Sequence, residues 1–216
     1  MKFERLLELV GDEPVFETSL LLAGEVNPNI VRLQLTRWTK SGRIYQLRRS
    51  LYAIAPPHQK VKPHPFLIAN RLQRASYISQ QSALAFYGLI PDTVHVTLSV
   101  SAGRRERLET PLGIFEFRHI KPELLRGYRM VDLGRAQPNQ QALVATPEKA
   151  LLDLVYLQPG GDSPAYLREL RLQNLDQLNL DELHRQSEIF ATPRLPRAVE
   201  VIVRLTQSEA QEYKVL

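Results

Sequence analysis

The residues with most chemistry to offer are the cations of the first half of the chain. Between Glu25 and Asp92 stand Arg32, Arg37, Lys40, Arg43, Arg48, Arg49, Lys60, Lys62, Arg71 and Arg74, with no aspartate or glutamate among them. Residues 1–91 hold 12 basic and 6 acidic side chains, and residues 92–216 hold 16 and 17, so the formal net charge of +5 belongs to the N-terminal part. Each lysine or arginine set against a phosphate releases counterions, which gives affinity for nucleic acid without choice of sequence. A solvated face uses the same residue types, so the elements that carry the cations decide what they do.

Phe3, Leu6, Leu7 and Val10 have helical spacing, and Gly11 and Pro14 end that helix. Val15 and Phe16 suit a short strand, and Thr18 caps a second helix over SLLLAG, stopped by Gly24. Asn27-Pro28 opens a third helix that runs through IVRLQLTRWTK to Gly42. At about 100° per residue, Val31, Leu35 and Trp38 share one side of it. Asn29, Arg32, Leu33, Thr36, Arg37 and Lys40 occupy the other. RIYQL and SLYAIA then alternate as two strands joined by the basic turn Arg48-Arg49. Pro56, Pro57, Pro63 and Pro65 make a stiff linker.

This order of elements predicts an α+β protein: a winged helix-turn-helix over residues 1–63, joined to a larger mixed α+β domain over residues 64–216 with an antiparallel sheet and terminal helices. An α-helix fits the major groove of B-DNA. Arg32 and Arg37 suit bidentate contacts to guanine, Asn29 suits adenine, and Thr36 suits a base or a phosphate. Lys40 is placed for phosphate, and Arg48 and Arg49 for phosphates or the adjacent minor groove. Leu33 and Arg43 complete the expected contact set, while Trp38, Tyr45 and Tyr52 are read as packing.

Past the linker, FLIANRLQRA reads as a helix, Tyr77 and Ile78 as extended, and SQQSALAFYGL as a helix capped near Ser79. VHVTLSV, LGIFEFRHI and YRMVDL read as strands. GRRER reads as a basic turn whose Arg104, Arg105 and Arg107 extend DNA contact, receive an acidic partner, or stay solvated. Thr146-Pro147 opens the apolar helix EKALLDLVYL, and AYLRELRLQ, LDELHRQSEIF and PRAVEVIVRLTQ are also helical.

The absence of cysteine excludes disulfides, thiolate zinc sites and cysteine nucleophiles. His58, His64, His95, His119 and His184 lack metal-ligand spacing. Glu148 and Asp153 diverge by about 140° around their helix, so they do not share a substrate. No catalytic residue, metal or cofactor is therefore expected. No apolar run approaches the ~18 residues of a membrane span, and MKFERLLELVGDEP lacks the form of a secretion signal, so no membrane partner and a cytoplasmic location are expected. Two rival readings stay open. One is a nucleic-acid-processing enzyme with Glu116 and Asp132 on a metal; the other is a ligand-responsive regulator with Phe86, Tyr87 and Tyr128 around a pocket.

The stretch LTRWTKSGRIYQLRRSLYAIAP resembles the N-terminal region of the AbiEi family, antitoxins of type IV toxin-antitoxin systems. YISQQSALAFYGLIP and ATPEKALLDLVYL are similar to segments of that family's C-terminal region, so the resemblance spans most of the chain. It implies a repressor of its own operon that binds double-stranded operator DNA and counters a nucleotidyltransferase-like toxin. A type IV antitoxin need not bind its toxin, so direct contact stays open, as does self-association of two copies on adjacent half-sites. Ser50 departs from the family, whose members often carry glycine at this point of the wing. Glycine reaches positive φ without steric cost, so the geometry of this turn is in question.

Overall fold

The computed structural model describes residues 1–23, 26–134 and 140–212. Helix α1 (Phe3–Val10) buries Phe3, Leu6 and Val10. Strand β1 (Phe16–Glu17) is followed by a single 3-10 turn (Thr18–Leu22), where the sequence suggests an α-helix. Thr18 makes no side-chain cap there; its backbone N–H donates to the Ser50 carbonyl at 3.0 Å, so the segment is fastened to the hairpin instead of extended. Gly24, the expected stop, lies outside the described residues.

Helix α2 (Pro28–Lys40) starts as the sequence predicts: Pro28 occupies the first turn, and the Asn27 side chain accepts the Asn29 N–H at 2.9 Å. Strands β2 (Ile44–Arg48) and β3 (Leu51–Ile54) form the hairpin, and β1 adds to β3, giving the antiparallel order β1-β3-β2. Val31, Leu35 and Trp38 close this core against Phe3, Leu6 and Ile44, with the Phe3 and Trp38 rings edge to face at 5.5 Å. Trp38 is scaffold, as the helical spacing indicates.

The larger part comprises α3 (Pro65–Leu72), β4 (Ser76–Ile78), α4 (Gln80–Phe86), β5 (Val96–Ser101), β6 (Glu106–Thr110), β7 (Gly113–His119), β8 (Tyr128–Asp132) and β9 (Gln141–Ala145). Helices α5 (Pro147–Leu157), α6 (Pro164–Glu169), α7 (Leu180–Ile189) and α8 (Arg194–Glu212) follow. Its six-stranded sheet has the order β6-β7-β5-β4-β9-β8.

The sheet is mixed, which corrects the antiparallel expectation: β5 pairs with β7 in parallel, and so does β4 with β9. The cause is ERLET, taken for part of a basic turn, which forms edge strand β6 and pairs with β7 through the tight turn at Pro111 and Leu112. With β6 taking up that connection, β5 and β7 run the same way.

The two parts pack together. Leu47, Leu51 and Ala53 of the hairpin, with Val15, join the larger core, and Arg74 pairs with Glu17 at 2.7 Å. The linker is held to the sheet by Gln140, whose side chain donates to the Lys62 carbonyl at 3.0 Å and accepts the His64 N–H at 2.8 Å.

Helix α5 is the axis of the larger core. Thr146 caps it, accepting the Lys149 N–H at 3.3 Å. Lys149 and Asp153 form an ion pair inside the core, with side chains 1% and 0% exposed. Asp153 also accepts the Tyr77 hydroxyl at 2.9 Å and the Ser79 hydroxyl at 2.7 Å, so Ser79, which holds the N-cap position of α4, spends its hydroxyl on Asp153 and makes no side-chain capping bond. Burial pushes the Lys149 ammonium down, against the pull of Asp153, and burial with the Asp153 charge pushes the Tyr77 phenol far up. Glu148 points elsewhere and accepts the Asn179 N–H at 2.9 Å.

Candidate nucleic-acid interface

The capped, proline-started α2 turns its apolar stripe inward and so must present the opposite stripe to solvent. Asn29, Arg32, Leu33, Thr36, Arg37 and Lys40 are all exposed, and no acidic side chain lies on the helix. Some of their hydrogen-bonding capacity is committed locally. Thr36 donates its hydroxyl to the Arg32 carbonyl at 2.9 Å, and Arg32 reaches Asn29 Oδ1 at 3.4 Å, so both amide and guanidinium keep free donors.

Between α2, the 3-10 turn and the hairpin runs a cleft of about 610 Å³. Arg32 and Lys40 line one wall and Arg49 the other, with hydroxyls of Thr18, Ser19, Thr36, Ser50 and Tyr52 between them. Among the described residues that line it, Glu17 is the acid, and it pairs with Arg74. Burial pushes the Tyr52 phenol up, over the opposing hydrogen bond with Thr18, so the group is neutral at physiological pH. A cationic cleft with hydroxyl donors is suited to a sugar–phosphate strand. Arg37 and Ile30 lie outside this cleft, on the far flank of the exposed stripe.

Ser50 has φ +69° in the hairpin turn, beside a register shift between Gln46 and Arg48. The turn therefore has the left-handed residue that glycine would supply, built with serine, and it leaves Arg49 exposed.

Several expected cations are engaged within the protein. Arg48 is directed away from the turn tip, donating to the Leu72 carbonyl at 2.7 Å and pairing with Glu106 at 3.2 Å; the register shift beside it turns it toward the larger part. Arg43 lies over the Phe3 ring, 5.1 Å from its centroid, while staying exposed. Arg105, Arg107 and Arg118 surround Glu116 at 3.6, 3.6 and 3.2 Å. Arg107 stands on edge strand β6, not on a hairpin tip, and Arg104 in the connection before it is exposed.

The rival sites are not assembled. Glu116 is on β7 and Asp132 on β8, at opposite parts of the sheet, and Asp132 accepts the Gly134 N–H at 2.9 Å. Among the described residues no group of three histidine, aspartate or glutamate side chains is arranged to hold a metal. Phe86 packs against Tyr87 and Phe66, while Tyr128 stacks on Tyr77 at 4.7 Å, so the three aromatics do not share one wall. No helix among the described residues is long and apolar enough to cross a membrane.

Sequence reasoning passed over Ile30, which is 52% exposed beside Leu33 at 50%. Its position 100° from Asn29 on the helix was the available signal. It also passed over Thr18 and Ser19 as cleft walls, which only the packing of the 3-10 turn reveals.

Family models and curated proteins give no match to this chain. Among solved structures it is similar to the RV2827C protein from Mycobacterium tuberculosis, with 16% identity and a TM-score of 0.52 over 92% of this chain and 76% of that one. At that identity the likeness concerns the fold alone, a mixed α+β arrangement that extends through both parts of the chain.

Proposed function

We propose that residues 1–63 act as a winged helix-turn-helix that binds double-stranded DNA, with α2 in the major groove and the hairpin turn on the flanking backbone. The observation that carries this reading is the acid-free, exposed stripe of α2, continued across the cleft by Arg49. Arg32, Arg37 and Asn29 then face base edges, and Lys40, Arg49 and the cleft hydroxyls hold phosphates. The order helix, 3-10 turn, helix, hairpin supports the winged form, with a single turn in the place of the bracing helix.

On the resemblance to AbiEi antitoxins, the chain is a cytoplasmic autorepressor that occludes its own promoter and counters a nucleotidyltransferase-like toxin, with no chemistry of its own. Two copies on adjacent half-sites would strengthen occlusion.

A mobility shift on the DNA upstream of its own reading frame, at two salt concentrations, tests the reading with wild type and Arg32→Ala/Arg37→Ala. Retarded promoter DNA that the double variant no longer distinguishes from unrelated duplex is the expected result. A wild type that leaves the promoter free overturns autorepression. Growth rescue on co-expression with the toxin tests the antitoxin role separately.

A further inference from the structure

Resting on the DNA reading, we propose that Leu33 and Ile30 contact the 5-methyl groups of thymine, so that the target site carries thymines facing the N-terminal half of α2. Leu33 sits at the centre of the exposed stripe, with Asn29, Thr36, Arg37 and Lys40 around it, and is 50% exposed. Ile30 lies one turn away and is 52% exposed. A single exposed leucine on a protein surface needs no explanation. This pair is different because of its neighbours: a stripe holding Arg32, Arg37 and Lys40 without one acid complements a polyanion, not an apolar protein surface.

Within the major groove the apolar group on a base edge is the thymine methyl, which together with the donor and acceptor pattern separates T·A from C·G there. Ile30 and Leu33 are about 4.5 Å apart along the helix axis, close to the ~3.4 Å spacing of bases on one strand, so methyls of nearby pairs are within their joint reach. Asn29 on the same stripe is suited to adenine, the partner base of thymine.

The test begins with selection of bound sequences from a random duplex pool. The selected duplex is then synthesised with uracil in place of thymine, which removes the methyl and keeps the pairing. Affinities for both duplexes are measured by fluorescence anisotropy at one salt concentration for wild type and for Ile30→Ala/Leu33→Ala. Both positions are exposed, so the fold is retained, as circular dichroism verifies. Uracil should weaken wild type by about fourfold for each methyl contacted, the value of one buried methyl-sized group. It should leave the double variant within twofold. Equal binding of the two duplexes by wild type overturns the methyl assignment, as does an equal uracil penalty in wild type and variant, which would place the effect in DNA shape. A pool with no enriched sequence overturns base reading by α2 and this assignment with it, and a pool that is not retained at all overturns the DNA reading itself.

Discussion

Lys149→Met keeps the length of the buried side chain and removes its ammonium. Asp153 is then left inside the core with only the Tyr77 and Ser79 hydroxyls, at 2.9 and 2.7 Å. Asp153→Asn does the converse, leaving an ammonium 4.9 Å from the Phe190 ring and 5.4 Å from the Tyr77 ring with its counter-charge gone. Breaking a buried pair from one side costs about 3–5 kcal/mol, because one charge stays desolvated and uncompensated. That is a large share of the ~5–15 kcal/mol by which a domain is stable. The double variant Lys149→Met/Asp153→Asn carries neither charge, and its amide oxygen still accepts a hydroxyl. Its cost reduces to imperfect hydrogen bonding, about 1–2 kcal/mol. Urea unfolding followed by far-ultraviolet circular dichroism should therefore find the double variant more stable than either single one, with a coupling of at least about 3 kcal/mol. A double variant that loses the sum of the two single losses, or singles within about 0.5 kcal/mol of wild type, would refute the buried pair.

Ser50→Gly relieves a left-handed residue, worth about 1–2 kcal/mol, against the greater chain entropy of glycine of about 0.5–1 kcal/mol. A net gain of about 0 to 1.5 kcal/mol should leave the thermal midpoint unchanged or higher; a lower midpoint counts against the turn geometry. His64 caps α3 with its ring, Nδ1 accepting the Phe66 N–H at 3.1 Å, and burial holds its pKa below the ordinary 6.5. The unfolded chain then binds the proton more readily, so this cap's stability is present above about pH 6.5 and lost as pH falls through the lower folded value. His64→Ala should cost about 1 kcal/mol at pH 7.5 and flatten the stability profile below pH 6.5, as denaturant titrations at several pH values would register. Lys40→Ala and Arg49→Ala should each lower the slope of log affinity against log salt by about 1 on any duplex bound, and an unchanged slope would remove that residue from the phosphate set.

The sequence makes α2 legible because two independent signals coincide: Asn27-Pro28 fixes its start, and Val31, Leu35 and Trp38 fix its buried side. The hairpin is legible as two apolar runs on either side of Arg48-Arg49, although Leu51–Ile54 are all buried where alternation is expected. The direction of Arg48 is not, since it depends on a register shift and on Leu72 and Glu106, distant in sequence. ERLET carries four charged or polar residues in five and looks like a loop; it is a strand because β7 offers it a free edge. Lys149 and Asp153, four apart on a helix, have the spacing of an exposed ion pair. Only the packing of α5 against β4, α7 and α8 puts them in the core, where the carboxylate gathers Tyr77 and Ser79.

The central claim, that the exposed stripe of α2 reads the major groove, is tested most directly by methylation interference on the promoter fragment. Dimethyl sulfate methylates guanine N7 in the major groove and adenine N3 in the minor groove, and the arginine contacts proposed for Arg32 and Arg37 need a free N7. Guanines whose N7 methylation excludes wild-type protein, and whose interference disappears in Arg32→Ala/Arg37→Ala on DNA still held by phosphate contacts, are the predicted result. Specific binding indifferent to guanine N7 and sensitive only to adenine N3 would contradict it.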